Sequence, residues 1–175
     1  MNGLKTPLSA NVTDARPMNT LRTYRPLRAY VVDMDELRLL SASLQDAVAK
    51  IGDFAFLKEQ RRFAFVANRF VWECATGRNH GPFARVRSGV HFDDVLSVRR
   101  RNIRTDAPDA VVDLLAVQFT SRDDGAGEIT LEFAGGGAIE LSVEAINAGI
   151  RDISDPWRTR SRPVHGEQIA ADDGL

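Results

Sequence analysis

The chain has 175 residues, 43% of them hydrophobic and 27% charged, and a net charge of −1. That suits one domain with tails and a real core, and no window approaches the roughly 18 to 20 apolar residues of a membrane-spanning helix. Cys74 is the single cysteine, which excludes an intramolecular disulfide and a zinc site built on several cysteines.

The charge is unevenly spread. Residues 58–104 hold eleven Lys/Arg and four Asp/Glu, whereas residues 105–156 hold two and eleven. A basic block suggests an anionic partner, but strands of opposite charge can also neutralise one another across a sheet. The second reading is preferred here.

Residues 1–26 contain three prolines and no apolar period, and are expected to form a disordered extension. Charges and prolines interrupt them before a signal core could form, so a cytoplasmic location is expected. Met18 is an alternative start. From Leu27, "LRAYVVD" reads as a short strand entering a helix. Asp33 is the N-cap, and Glu36 has capping-box spacing. Leu37, Leu40, Leu44, Ala47 and Val48 mark one apolar face of a helix over about 34–49. Gly52 follows as a reversal.

The period then changes to two. "DFAFL" and "RRFAFVANRFVW" flank the polar "KEQ" as a hairpin. Phe63 and Phe65 share one parity, and Phe70 and Trp72 the other. One extra residue near Asn68 would return both sets to one face, so a β-bulge is expected there, with Arg69 outward. "ATGRNHGP" reads as a loop. In "FARVRSGVHF", Val86, Val90 and Phe92 face in, while Arg85, Arg87 and His91 face out. The strands "VLSVRRR" and "VVDLLAVQFT" follow, then the hairpin "EITLEF-AGGG-AIELSV". Ile146, Ile150 and Ile153 have helical spacing, which predicts a second helix ending at Asp155-Pro156. Trp157 is expected to fold back on the body, ahead of a polar tail from 161.

The chemical candidates are sparse. "AGGGA" has strand on both sides, so it is a hairpin turn and not a phosphate loop. His91 and Asp93 share a face but lack a third ligand for a metal. Cys74 and His80 lack an oxyanion donor. Arg99, Arg100, Arg101 and Arg104 are the densest basic cluster, yet the aromatics that would stack on bases alternate into the core.

"LQDAVAKIGDFAFLKEQRRFAFVANRFVWE", "GVHFDDVLSVRRRNI", "ITLEFAGGGAIELSVEAI" and "PWRTRSRPVH" together resemble an uncharacterised bacterial family of about 150 residues, a domain of unknown function. The resemblance covers roughly residues 27–165 and implies a small cytosolic protein, with no activity, cofactor or catalytic residue attached.

The expected fold is α+β: seven or eight mostly antiparallel strands in a strongly bent sheet or partly open barrel, with one N-terminal and one C-terminal helix. That layout is similar to a pleckstrin-homology-like barrel. The expected organisation is an extension over 1–26, one domain over 27–160 and a tail over 161–175. The expected function is that of a non-enzymatic binding or protein-interaction module, with a protein partner or second copy, no membrane and no cofactor or metal. The alternative is an anionic-ligand or RNA-binding module using Arg85, Arg87, Arg99, Arg100 and Arg101. A second alternative is an enzyme near His91, with Asp93, Asn68 and Arg69 as further residues. Arg69 and His91 complete the candidate ligand-binding set.

Overall fold

A computed structural model describes residues 24–75, 83–160 and 162–163. His80 and His165, with most of the expected extension and tail, lie outside the described residues.

Asp33 starts the only α-helix among the described residues, α1 (Met34–Leu44), by accepting the Glu36 N–H at 2.8 Å, and Glu36 reaches back to the Val32 N–H at 2.8 Å. Leu37, Leu40 and Leu44 form its buried stripe. The helix stops five residues before the sequence-based expectation. Asp46 takes a left-handed conformation at φ 59°, and the chain turns out of the helix direction. Ala47 and Val48, read above as helical, instead enter a strand.

The strands are β1 (Arg28–Val31), β2 (Ala47–Lys50), β3 (Phe54–Leu57), β4 (Arg62–Phe70), β5 (Phe83–Phe92) and β6 (Val95–Arg101). They continue with β7 (Val111–Ser121), β8 (Gly127–Phe133), β9 (Ala138–Val143), β10 (Ala148–Asp152) and β11 (Trp157–Thr159). They form an open sheet in the order β1-β10-β5-β4-β2-β7-β8-β9-β6, with β3 also on β4 and β11 also on β5. Every pairing is antiparallel. The sheet-rich α+β reading holds, with eleven strands instead of seven or eight.

One face of this sheet carries the core, which α1 helps to cover. Across four strands the rows run Ala29–Ile150–Val90–Phe65 and Val31–Ala148–Phe92–Phe63; seven of these residues belong to the main buried apolar cluster, and Ala29 packs against it. We call this face inner. The "AGGGA" turn is the hairpin expected: Gly135 and Gly136 sit at φ 81° and 82°, where a side chain would be strained. At Gly137 a Cβ would crowd the tip of the Ile103 side chain at 2.8 Å and the Asn102 carbonyl oxygen at 3.2 Å.

Further expectations fail. The second helix is absent: residues 148–152 form β10, between β1 and β5. Ile146, Ile150 and Ile153 fit a helical period, but Ala148, Ile150 and Asp152 are the buried alternating set, and Ile153 is exposed. Two neighbouring strands offer more pairing than an isolated helical turn, so tertiary context wins. The pleckstrin-homology-like layout loses its closing helix with it. The bulge at Asn68 is also absent. β4 pairs with β5 without a break from Phe63↔Phe92 to Phe70↔Arg85. The register shifts instead at Val95/Ser97 and Leu114/Ala116.

Candidate functional site

Because β4 is unbroken, Arg69 shares a parity with Phe63, Phe65 and Ala67 and points inward, contrary to the expectation that it faces out. It is 1% exposed. Asp152 projects to the same face from β10, and Ser88 lies beside it on β5. The Asp152 carboxylate accepts from Arg69 Nε at 2.9 Å, Arg69 Nη2 at 2.7 Å and Ser88 Oγ at 2.6 Å. The Tyr24 hydroxyl at 2.7 Å and the Leu27 N–H at 2.8 Å complete the set. Glu73, on the single 3-10 turn after β4, accepts from the other side of the guanidinium at 2.9 and 3.3 Å.

Burial alone would raise the Asp152 pKa. Arg69, Ser88, the Leu27 N–H and Tyr24 outweigh it and hold the carboxyl down at about 2. For Arg69, burial favours the neutral form, but Asp152 and Glu73 reverse that and raise its pKa. The Tyr24 hydroxyl is pushed up, by burial first and then by donating to Asp152. Both Asp152 oxygens are engaged, so the group has no open position for a substrate. Its evident work is to fix the segment Tyr24–Leu27 against the sheet.

The opposite, outer face carries the other candidates. His91, Arg87 and Arg85 lie along β5 as expected, with Asn68 and Val66 beside them on β4. His91 lies over Gly149, where a Cβ would run into its ring. Its Nε2 is 3.8 Å from Asp93, so their shared face is confirmed. Asp93, however, is gripped by Arg62 at 2.6 and 3.0 Å, which lowers its pKa. His91 and Arg69 lie on opposite faces and form no common site. Arg85 is half-buried: its guanidinium donates to the carbonyls of Asp46 at 3.1 Å and Asn68 at 3.0 Å and rests 5.8 Å from the Phe70 ring centre. Burial lowers its pKa. Arg87 is exposed and borders a groove of about 130 Å³ with Lys50, Asp53, Asn68 and Val66. Phe70, with Trp72, Ala75 and Phe83, builds a small separate apolar cluster.

Arg99, Arg100 and Arg101 are elsewhere, on β6 at the far end of the strand order. Arg99 pairs with Glu128 at 2.9 Å and Glu140 at 3.0 Å, and Arg101 with Glu140 at 3.7 Å. The basic and acidic blocks therefore meet across strands β6, β8 and β9. Cys74 is half-buried beside the apolar cluster of Val71, Ala84 and Val86.

At the other end of the order, β1 has a neighbour on one side only among the described residues. Between β1 and α1 lies an apolar groove of about 250 Å³, lined by Leu27, Ala29, Leu39, Leu40 and Ile150. At its rim, Leu39 of α1 and Tyr30 of the edge strand are 69 and 66% exposed.

Sequence reasoning missed Asp152, Ser88 and Tyr24 as partners of Arg69. Strict alternation through Phe63, Phe65, Ala67 and Arg69 was the available signal, and the supposed bulge concealed it.

The chain belongs to the family DUF2948, described as a protein of unknown function, whose model matches residues 27–165. No curated protein and no solved structure matches it.

Proposed function

We propose that this domain is a non-enzymatic interaction module that pairs with a second copy of itself along the free edge of β1. The open, apolar-flanked edge carries the reading. Asp152 N–H donates to the Leu27 carbonyl, so residues 27, 29 and 31 turn their backbone groups toward β10. Arg28 and Tyr30 then turn theirs away. The Val32 N–H, also turned away, is taken by Glu36.

The edge is complementary to itself. Its start is basic, at Arg25 and Arg28, and its end acidic, at Asp33 and Asp35. An antiparallel pair centred on Ala29 sets Arg28 opposite Tyr30 and Arg25 opposite Asp33 of the second copy. A two-fold axis normal to the sheet makes such a contact close on itself. It also puts both inner faces on one side, bringing the exposed Leu39 of each copy toward the groove of the other. Pro26 and Arg28 keep the edge short, which guards against open-ended association.

Sedimentation equilibrium from low to high micromolar concentration tests this, with a monomer–dimer equilibrium expected. Tyr30→Pro removes an N–H that faces away from β10, a position where an edge strand tolerates proline. It should leave the fold intact and give a monomer, as should Leu39→Asp. Wild type that is monomeric throughout, or a dimer that survives both substitutions, contradicts the reading.

A further inference from the structure

We propose that the outer face of β1, β10, β5 and β11 binds single-stranded nucleic acid, with Arg28, Arg151 and Arg87 on phosphates and Tyr30 and Trp157 under bases. The pairing registers place these side chains together. Arg28 is opposite Arg151, Tyr30 is opposite Gly149, and Trp157 is opposite Arg85, so all project to the outer side with Arg87 and His91. This separates the expected basic set: Arg85 and Arg87 belong to this face, and Arg99 to Arg101 do not.

Two properties set the face apart from β6. First, its arginines lack carboxylate partners: Arg28, Arg87 and Arg151 are exposed, and none makes an ion pair with a carboxylate among the described residues. Nearby Asp93 is already neutralised by Arg62. Second, two aromatics escape the core. Tyr30 is 66% and Trp157 39% exposed, and the adjacent Arg28 lowers the Tyr30 pKa through a hydrogen bond. Exposed aromatics among unpaired cations are what a strand of stacked bases and phosphates requires.

The dimensions suit an extended strand. Trp157 lies in the row of Arg85 and Tyr30 in the row of His91, six residues apart along β5, or about 20 Å. The arginines fall between them. Gly149 lets the imidazole of His91 lie flat over the sheet in the row of Tyr30, since any side chain there would collide with the ring. A duplex fits less well. Helix α1 lies on the inner side and starts with Asp35 and Glu36, the wrong charge for a phosphate-lined groove.

Fluorescence anisotropy with a labelled 12-nucleotide oligo(U), and the same length of oligo(dT), tests the proposal. Binding is expected at 50 mM salt. Three phosphate contacts should weaken it about tenfold by 150 mM salt. Arg87→Glu with Arg151→Glu should cut affinity at least tenfold, and Trp157→Ala several-fold, with circular dichroism and melting temperature confirming the fold. The triple Arg→Gln variant at 99, 100 and 101 should bind as wild type does. Repeating the titration in the Leu39→Asp background separates this from self-pairing. The proposal is overturned if wild type does not bind at 50 mM salt, or if binding survives the Arg87/Arg151 reversal. It is equally overturned if the triple variant loses binding to the same extent, or if phosphatidylserine vesicles bind and the oligonucleotides do not.

Discussion

Arg69 shows how one buried charge organises a local structure. Its guanidinium is out of water, which is costly unless every donor is used. Asp152 and Glu73 accept four hydrogen bonds from it, and Ser88, Tyr24 and Leu27 fill the remaining capacity of Asp152. Asp152→Asn keeps the shape but leaves Arg69 with the half-exposed Glu73 as its only anion. Urea unfolding at pH 7 should show a loss of about 3 to 5 kcal/mol, as for other broken buried pairs. The pH dependence follows from the depressed carboxyl. Its folded value of about 2 lies below the unfolded value near 3.9. The stabilisation is therefore complete above roughly pH 4 and disappears as the pH falls toward 2, a contribution of about 2 to 3 kcal/mol. The Asn variant should lack this part of the acid slope. An unchanged slope would mean that Asp152 is not the anion holding Arg69.

Among the elements, local signals were reliable where a turn or cap dictated them. Asp33 and Glu36 announced the start of α1, the Lys58–Gln60 turn joined β3 to β4, and the glycines at 135 and 136 closed the β8–β9 hairpin. They failed where a long-range neighbour decided the outcome. Residues 144–155 carry a helical spacing of isoleucines, yet β1 and β5 make residues 148–152 a strand. No local pattern encodes a slot between distant strands. The same failure hid Asp152, because a helical reading gives it no parity with Ile150. Ile150 is 3% exposed and lies in the row of Ala29 and Val90. Ile150→Ala should cost about 2 to 5 kcal/mol by denaturant unfolding. A loss under about 1 kcal/mol would place β10 outside the core.

For the molecule as a whole, the division of labour is between faces and edges. The inner face holds the core and the Arg69 group. At the β6 end Arg99 and Arg101 are paired with Glu128 and Glu140 of the acidic strands, as the charge blocks in the sequence suggested. Among the described residues, the outer face near β5 keeps arginines without carboxylate partners, and the β1 end keeps an open edge. The antiparallel, sheet-rich class was legible in the alternation of Val86, Val90 and Phe92. The exposed positions of Tyr30 and Trp157 were not, because they follow from pairing with Gly149 and Arg85, far along the chain. Self-pairing along β1 makes a site-resolved demand on backbone amides. Ala29 and Val31 face β10 and should exchange slowly at any concentration, whereas Arg28 and Tyr30 face outward. Hydrogen exchange measured amide by amide over a hundredfold range of protein concentration is the most direct test. The account predicts that Arg28 and Tyr30 become protected as concentration rises, with Ala29 and Val31 unchanged. Arg28 and Tyr30 amides that exchange equally fast at every concentration would contradict it.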